Sequence, residues 1–185
     1  WIKKKIDNPA PYDESVLREK VNKIVSYNKS TMEADLKTDK FVINNMTPYY
    51  DEEMNSFFAL GHRIVINKDT SGEKAIKISW IGGEKVFPDG SKINVLGGGD
   101  SISVPLHFPH TKITMNGGYV HNIMGGNNAG GTVDTAEIIV NGGIINDING
   151  AGAEWSDYYQ KMYTNSVFNV KIIINDGIVK TSLYC

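Results

Sequence analysis

From residue 63 onward, apolar residues are grouped in short runs, and glycine, asparagine or aspartate separates one run from the next. The runs are rich in isoleucine and valine and are too short for helices. The pattern therefore predicts β-strands at 63–66, 75–81, 92–96, 112–115, 119–124, 137–140, 144–148 and 171–176. Most of the 19 glycines lie between these runs, where they predict tight corners. This part of the chain is predicted to be mainly β.

Three segments repeat the same order of strand, corner and strand. They read KITMNGGYVHNIMGG from Lys112, EIIVNGGIINDINGAG from Glu137 and KIIINDGIVKTSLYC from Lys171, and their corner asparagines are 25 and 34 residues apart. Periods of this length are typical of solenoids, in which stacked coils bury a core that one coil cannot bury alone. We therefore predict a β-helix or solenoid over 63–185, with the strands of successive coils paired in parallel.

The Asn-Gly-Gly or Asn-Asp-Gly corner between the two strands of each unit has a predicted role of its own. A sharp corner needs positive φ, which glycine and asparagine adopt at low cost. Asparagines at the same corner of successive coils are also placed to stack as an amide ladder. The alternative is a set of antiparallel hairpins, for which Asn-Gly is the strongest turn signal. The poor alternation of the strands after the corner and the recurrence of the whole unit count against that alternative.

Residues 1–40 are predicted to form an extended N-terminus and a helical stalk. Pro9 and Pro11 exclude a helix in residues 1–12, and Asp13 is a suitable N-cap for one that follows. Its seam has heptad spacing and consists of Leu17, Val21, Ile24 and, as a polar residue in a core position, Asn28. The seam predicts a short parallel coiled coil that joins identical chains. The alternative is one amphipathic helix that lies on its own domain.

Residues 41–62 are predicted to be a junction and cap. Pro48 predicts a turn, and Asp51 to Leu60 predict a helical turn. Aromatic side chains in this stretch are placed to close the open end of a repeat fold, which would otherwise expose its core; they are Tyr49, Tyr50, Phe57 and Phe58.

Residues 153–169 are predicted to be a loop inserted into the repeat. Insertions of this kind gather on one face of a solenoid, often the binding face. The predicted binding residues are Trp155, Tyr158, Tyr159 and Tyr163, whose rings suit stacking on sugars or packing on a partner chain. The alternative is that these rings pack on the wall of the chain's own fold.

Composition narrows the class of protein. The hydrophobic fraction of 41% is enough for a buried core, and the net charge of −2 argues against a nucleic-acid partner. The single cysteine, Cys185, excludes an internal disulfide and a cysteine-based metal site. Neither a signal peptide nor an apolar run long enough to span a bilayer is visible, so no membrane insertion is predicted. The last repeat stops in mid-pattern at 182–185, which indicates a piece of something longer.

No catalytic motif is visible: the chain has no phosphate-binding loop, no GxSxG and no HExxH. His107 and His110 flank Pro109 and are expected to be turn residues rather than metal ligands. No catalytic residue, metal site or cofactor is therefore predicted. The enzymatic alternative is glycoside cleavage, which needs two carboxylates about 5–9.5 Å apart. The candidates are Asp134, Glu137, Asp147, Glu154, Asp157 and Asp176, with Asp147 the most prominent because it lies within a strand.

Two stretches resemble bacteriophage fibre proteins. PYDESVLREKVNKI resembles an element that precedes a short trimeric coiled coil in tail, baseplate and head-fibre proteins. ITMNGGYVHNIMGGNNAGGTV and IIVNGGIINDINGAG are similar to the glycine-rich β-solenoid repeats of phage fibres and of some surface adhesins. The resemblance implies a homotrimeric virion fibre, assembled in the host cytoplasm, whose N-terminal side contacts other virion proteins and whose distal part binds the host-cell surface, including its glycans. The alternatives are a tailspike-like polysaccharide-degrading enzyme and a secreted adhesin at a bacterial cell surface.

Overall fold

Strands account for most of the chain that the computed structural model describes, which is residues 47–100, 106–152, 155–156, 161–162 and 165–184. In this part 62% of residues are in strands and 2% are helical, so the prediction of a mainly β fold is confirmed. The described residues belong to one unit, Ile43–Cys185. The predicted stalk, 1–40, lies outside them. So do all four predicted seam residues, which are Leu17, Val21, Ile24 and Asn28.

Two six-stranded sheets contain nearly all of these strands. In spatial order, sheet 1 consists of β1 (Tyr49–Asp51), β2 (Ser56–Phe58), β6 (Asn94–Leu96), β8 (Tyr119–Met124), β10 (Ile144–Asn149) and β14 (Ile178–Tyr184). Sheet 2 consists of β13 (Asn165–Ile174), β9 (Gly131–Val140), β7 (His107–Met115), β3 (Arg63–Lys68), β4 (Ile76–Trp80) and β5 (Gly83–Phe87). A short hairpin pairs β11 (Trp155–Ser156) with β12 (Lys161–Met162), and Gly90–Lys92 form a 3-10 turn.

The repeat units are built across the two sheets rather than within one. β7, β9 and β13 lie in sheet 2, and the strand that follows each corner, β8, β10 or β14, lies in sheet 1. Within each sheet, successive units pair in parallel. The two strands of a unit are therefore not a hairpin, and the antiparallel alternative is wrong for these units. Both sheets are nevertheless mixed, because β1 pairs antiparallel with β2, and β4 with both β3 and β5; neither sheet is closed.

The predicted helical turn from Asp51 to Leu60 is wrong. The Asp51 carboxylate accepts the backbone N–H groups of Glu53 and Met54 at 2.9 and 3.0 Å, which closes a turn after β1. The chain then enters β2, where Phe57 and Phe58 are fully buried. Burial of two adjacent rings, one in each of two apolar clusters, suits a strand better than a helix.

The strands of sheet 2 extend beyond the predicted runs. β9 begins at Gly131 and β13 at Asn165, so residues 165–169 belong to a strand and not to the inserted loop. These extensions are polar or alternate irregularly. Pairing in register, of β9 with β7 and of β13 with β9, makes them strands. The sequence does not predict β5 as a strand, because GEKVF carries two adjacent charged residues. Gly82, with φ of 95°, turns the chain so that β5 pairs with β4.

Columns of apolar side chains between neighbouring strands form the core. One column runs through Ile64, Ile113, Ile138 and Ile172, and a second runs through Phe57, Val95, Ile123 and Ile148. All but Ile172 are 1% exposed or less. Full burial of one such side chain contributes about 1.5–3 kcal/mol. The parallel register thus places the large side chains of successive units directly against one another.

The corners between sheet 2 and sheet 1 have the backbone that the sequence predicts. The third corner residue has positive φ in each unit: 96° at Gly118, 105° at Gly143 and 117° at Gly177. The preceding residue does not, which explains why Asp176 replaces glycine in the last unit.

The corner asparagines Asn116, Asn141 and Asn175 form the predicted amide ladder. Asn67, which lies within β3 and was not part of the prediction, extends it by one member, and we call these four residues the corner ladder. Each Nδ2 donates to the Oδ1 of the preceding member, at 3.1 Å from Asn116, 2.9 Å from Asn141 and 2.8 Å from Asn175. The ladder therefore has one direction, in which amides donate toward the N-terminal end of the stack. This prediction is confirmed.

Candidate functional site

The predicted aromatic binding residues fall in the insertion between β10 and β13. Trp155 lies in β11, opposite Met162 of β12. Tyr158, Tyr159 and Tyr163 lie outside the described residues. The insertion contains a short hairpin where a loop was predicted, and whether its rings bind a sugar or pack on the fold remains a prediction.

A group of partly or fully exposed polar side chains lies on the side of sheet 1 that faces away from the core. We call it the polar shelf, and it consists of Tyr119, His121, Asn122, Asn146, Asp147 and Lys180. It exists because β8 and β10 each insert two polar residues between two fully buried ones. β8 has Val120-His121-Asn122-Ile123 and β10 has Ile145-Asn146-Asp147-Ile148. The register of β10 against β14 shifts at this point, as expected for a bulge.

Hydrogen bonds on the polar shelf run in one direction. Lys180 Nζ donates to the Tyr119 hydroxyl at 2.7 Å, and that hydroxyl donates to Asn146 Oδ1 at 3.1 Å. Asn146 Nδ2 lies 2.7 Å from His121 Nδ1. Since an amide nitrogen can only donate, Nδ1 accepts and the neutral ring carries its proton on Nε2. Lys180 also lies over the Tyr119 ring, 4.5 Å from its centroid.

Asp147 lies beside an amide in the polar shelf. The Asn122 amide is oriented with Nδ2 3.2 Å from Asp147 Oδ2, because the opposite orientation would place its oxygen against two acceptors. Strand register aligns Asp147 with Asn122 on one side and Ser182 on the other. The polar shelf therefore presents a carboxylate that lies, in strand register, between an amide and a hydroxyl-bearing residue.

A second polar group, which we call the charge column, crosses sheet 2 through Arg63, Lys112, Glu137 and Lys171. Glu137 is 9% exposed and pairs with Lys112 Nζ and, at 2.9 Å, with Lys171 Nζ. Burial alone would raise the pKa of Glu137. The hydrogen bonds and charges of the two lysines outweigh burial and lower that pKa from 4.5 to about 2.

Among the described residues, none of the acids considered for glycoside cleavage lies opposite a second carboxylate in the strand register. Glu137 lies opposite Lys112 and Lys171, Asp134 Oδ2 lies 3.6 Å from His107 Nε2, and Asp176 occupies a corner where it accepts the N–H of Gly177. Glu154 and Asp157 lie outside the described residues. Glu137, with a pKa of about 2, is ionised at neutral pH and is unsuited to donate a proton.

The sequence predicts that His107 and His110 are turn residues, and this prediction is wrong because both lie in β7. His107 is exposed, and its Nδ1 lies 2.8 Å from the Thr132 hydroxyl. Within the described ranges, no group of three or more histidine, cysteine or acidic side chains could hold a metal ion. In the same part of the chain, no helix has the length and apolar character needed to cross a membrane.

Sequence reasoning missed the polar shelf and the charge column. A usable signal for the polar shelf was the order apolar, polar, polar, apolar, which recurs at 120–123 and 145–148. It is the reason why these strands alternate poorly. The charge column carried no local signal, because Glu137 and Lys171 are 34 residues apart.

Comparison with known proteins returned no relative: no protein-family model, no curated protein and no solved structure matches the chain.

Proposed function

We propose that the chain is a segment of a β-solenoid fibre, a structural part of a virion appendage that contacts the host-cell surface. The observation that carries the proposal concerns the strands from β6 to β14. Apart from the inserted hairpin, they alternate between the two sheets and pair in parallel and in register inside each sheet. An arrangement of this kind grows by one strand spacing, about 4.8 Å, with each added coil. Repetition therefore lengthens the molecule without requiring a new core design.

The N-terminal end of the two sheets supports the proposal, because it differs from the parallel repeats that follow. At the N-terminal side, the antiparallel strands β1 and β5 form the sheet edges, and aromatic rings of neighbouring strands pack on one another there. Tyr49 stacks on Phe58 at 5.1 Å between ring centroids, and Tyr50 meets Phe87 edge-on at 4.9 Å. Edge strands that run antiparallel to their neighbours interrupt the parallel stack, and a capping unit requires such an interruption. In the proposal, this side faces the other virion proteins.

The proposed contact surface combines the inserted hairpin with the polar shelf. The aromatic residues of the insertion provide faces for sugar stacking. The polar shelf provides the Asp147 carboxylate, the Asn122 amide and the Nε2–H of His121, in positions that neighbouring strands hold. Groups held in advance lose little conformational entropy on binding, which suits recognition of a hydroxyl-rich glycan.

The oligomeric state tests the proposal that the chain is part of a trimeric virion appendage. Sedimentation of the full chain should give three times its 20.4 kDa mass, and a double variant, Leu17→Asp with Ile24→Asp, should sediment as a monomer. A wild-type monomer would contradict the fibre assignment. Unchanged trimers in the double variant would contradict the seam.

Glycan binding tests the proposal that the inserted hairpin and the polar shelf contact the host-cell surface. Immobilised bacterial capsule and cell-wall polysaccharides should retain the wild type, and retention should fall on replacing Trp155 or Asp147 by alanine. Thr135→Ala, on the other sheet, is the matched control and should bind as the wild type does. Retention that neither Trp155 nor Asp147 affects would refute the proposed surface. Release of reducing ends that Asp147→Asn abolishes would instead establish the tailspike-like enzyme.

A further inference from the structure

The corner ladder contains two Asn-Gly sequences, at 116–117 and 141–142, and this dipeptide is chemically reactive. Glycine has no side chain to hinder its nitrogen, so that nitrogen can attack the amide carbon of the preceding asparagine. The two ladder members at the ends of the described stack are followed by other residues, Lys68 and Asp176. The reactive dipeptide thus occurs at the two inner positions, where the asparagine has a ladder neighbour on both sides.

We propose that Asn141 is a deamidation site that the corner ladder holds closed. In the reaction, the backbone nitrogen of Gly142 bonds to Cγ of Asn141, the Cγ–Nδ2 bond breaks, and ammonia leaves with the proton of the attacking nitrogen. Water then opens the resulting succinimide ring to aspartate or isoaspartate. No oxidant or reductant takes part, and water is available because Asn141 is exposed at the corner.

The corner ladder opposes this reaction by holding both ends of the Asn141 amide. Its Nδ2 donates to Asn116 at 2.9 Å, and its Oδ1 accepts from Asn175 at 2.8 Å. The backbone N–H of Asn141 is bound to the Met115 carbonyl at 2.7 Å. For attack, the amide carbon must come to the Gly142 nitrogen, and we expect the side-chain rotation that this needs to break both ladder bonds.

A third Asn-Gly pair, Asn149-Gly150, is protected in a different way and provides an internal reference. There the attacking nitrogen itself is engaged, because the N–H of Gly150 donates to the Tyr184 carbonyl at 2.9 Å. The Asn149 amide bonds within its own turn, to Ala151 and Gly152. Loss of a corner-ladder bond should therefore leave deamidation at Asn149 unchanged.

The test compares three full-length proteins, the wild type, Asn175→Ala and Thr181→Ala, during prolonged incubation at mildly alkaline pH. Peptide mapping by mass spectrometry measures deamidation at positions 116, 141 and 149 separately. Asn175→Ala removes the donor to Asn141, and the rate at Asn141 should rise roughly fivefold, which corresponds to one hydrogen bond of about 1 kcal/mol. The rate at Asn149 should not change, and the exposed-strand control, Thr181→Ala, should match the wild type at all three positions.

Three results would overturn the proposal. Equal rates at Asn141 in all three proteins would mean that the corner ladder does not gate the reaction. A parallel rise at Asn141 and Asn149 would mean that the variant loosens the whole fold. Urea-unfolded wild type, in which all three pairs should react fast, supplies the ungated rate, and a slow Asn141 there would also refute the idea. If Asn175→Ala does not fold, Asn175→Asp removes the same donor with a side chain of the same size.

Discussion

Replacing Glu137 by glutamine tests whether the charge column stabilises the fold and at which pH it does so. The substitution keeps the size of the side chain and removes its charge. Lys112, whose side chain is 21% exposed, would then remain half-buried without its anion, while Lys171, at 62%, would be largely solvated. We therefore expect Glu137→Gln to destabilise the protein mainly through Lys112.

The size of the effect follows from the pKa of Glu137. The lysines lower it from 4.5 to about 2, and at 1.36 kcal/mol per pKa unit this is an upper bound of about 3 kcal/mol. Solvent screens the Lys171 pair, so we expect about 2 kcal/mol at neutral pH. Because the folded-state pKa is depressed, the stabilisation is complete above pH 4.5 and is lost as the pH falls toward about 2.

Urea unfolding, followed by far-ultraviolet circular dichroism between neutral pH and pH 2, measures the difference between the wild type and Glu137→Gln. Other carboxylates titrate in both proteins and cancel in that difference. Glu84→Gln is the matched control, since Glu84 is 59% exposed and pairs with Lys77 at 3.3 Å on an open surface. It should change stability by less than about 0.5 kcal/mol at every pH.

The reasoning predicts a difference that shrinks toward zero as wild-type Glu137 becomes protonated. A difference that does not vary with pH would mean that shape or packing, not charge, explains the effect. A difference no larger than that of Glu84→Gln would mean that the two lysines do not lower the pKa of Glu137 in the folded protein.

Three further predictions concern stability and are measured by the same urea unfolding. Asn141→Ala should cost about 2 kcal/mol, because it removes two ladder hydrogen bonds, and a neutral result would show that the corner ladder does not stabilise the fold. Gly118→Ala should cost at least about 1–2 kcal/mol, since φ is 96° there, whereas Gly117→Ala should be near neutral; equal costs would contradict the corner geometry. Ile123→Ala, at a fully buried site, should cost about 2–5 kcal/mol, and Leu183→Ala, in the same column but 50% exposed, much less.

Local chemistry made the corners predictable from the sequence. A strand–Asn-Gly–strand order that recurs specifies where the chain turns, because few residues other than glycine adopt the positive φ found at Gly118, Gly143 and Gly177. Once the strands of successive units are parallel and in register, equal corner positions place the asparagines over one another, and the corner ladder follows.

Strand limits and most of the polar contacts were not predictable in this way. Residues 131–136 and 165–169 have no strong strand pattern, and pairing with β7 and with each other determines their conformation. For the run Asp51 to Leu60, the sequence predicts a helical turn where the structure has a strand. Burial of Phe57 and Phe58 between strands outweighs the local helical pattern.

The sequence by itself determined the β class, the positions of the corners and the identity of the three ladder residues at those corners, since these depend on backbone preference and on repetition. Only the tertiary structure decided which strands share a sheet, that the polar pairs of β8 and β10 face outward as the polar shelf, and that Glu137 lies between two lysines. Those features depend on residues that are distant in the chain and adjacent in space, such as Glu137 and Lys171, 34 positions apart. Their contacts arise from register between strands, which no local stretch of sequence specifies.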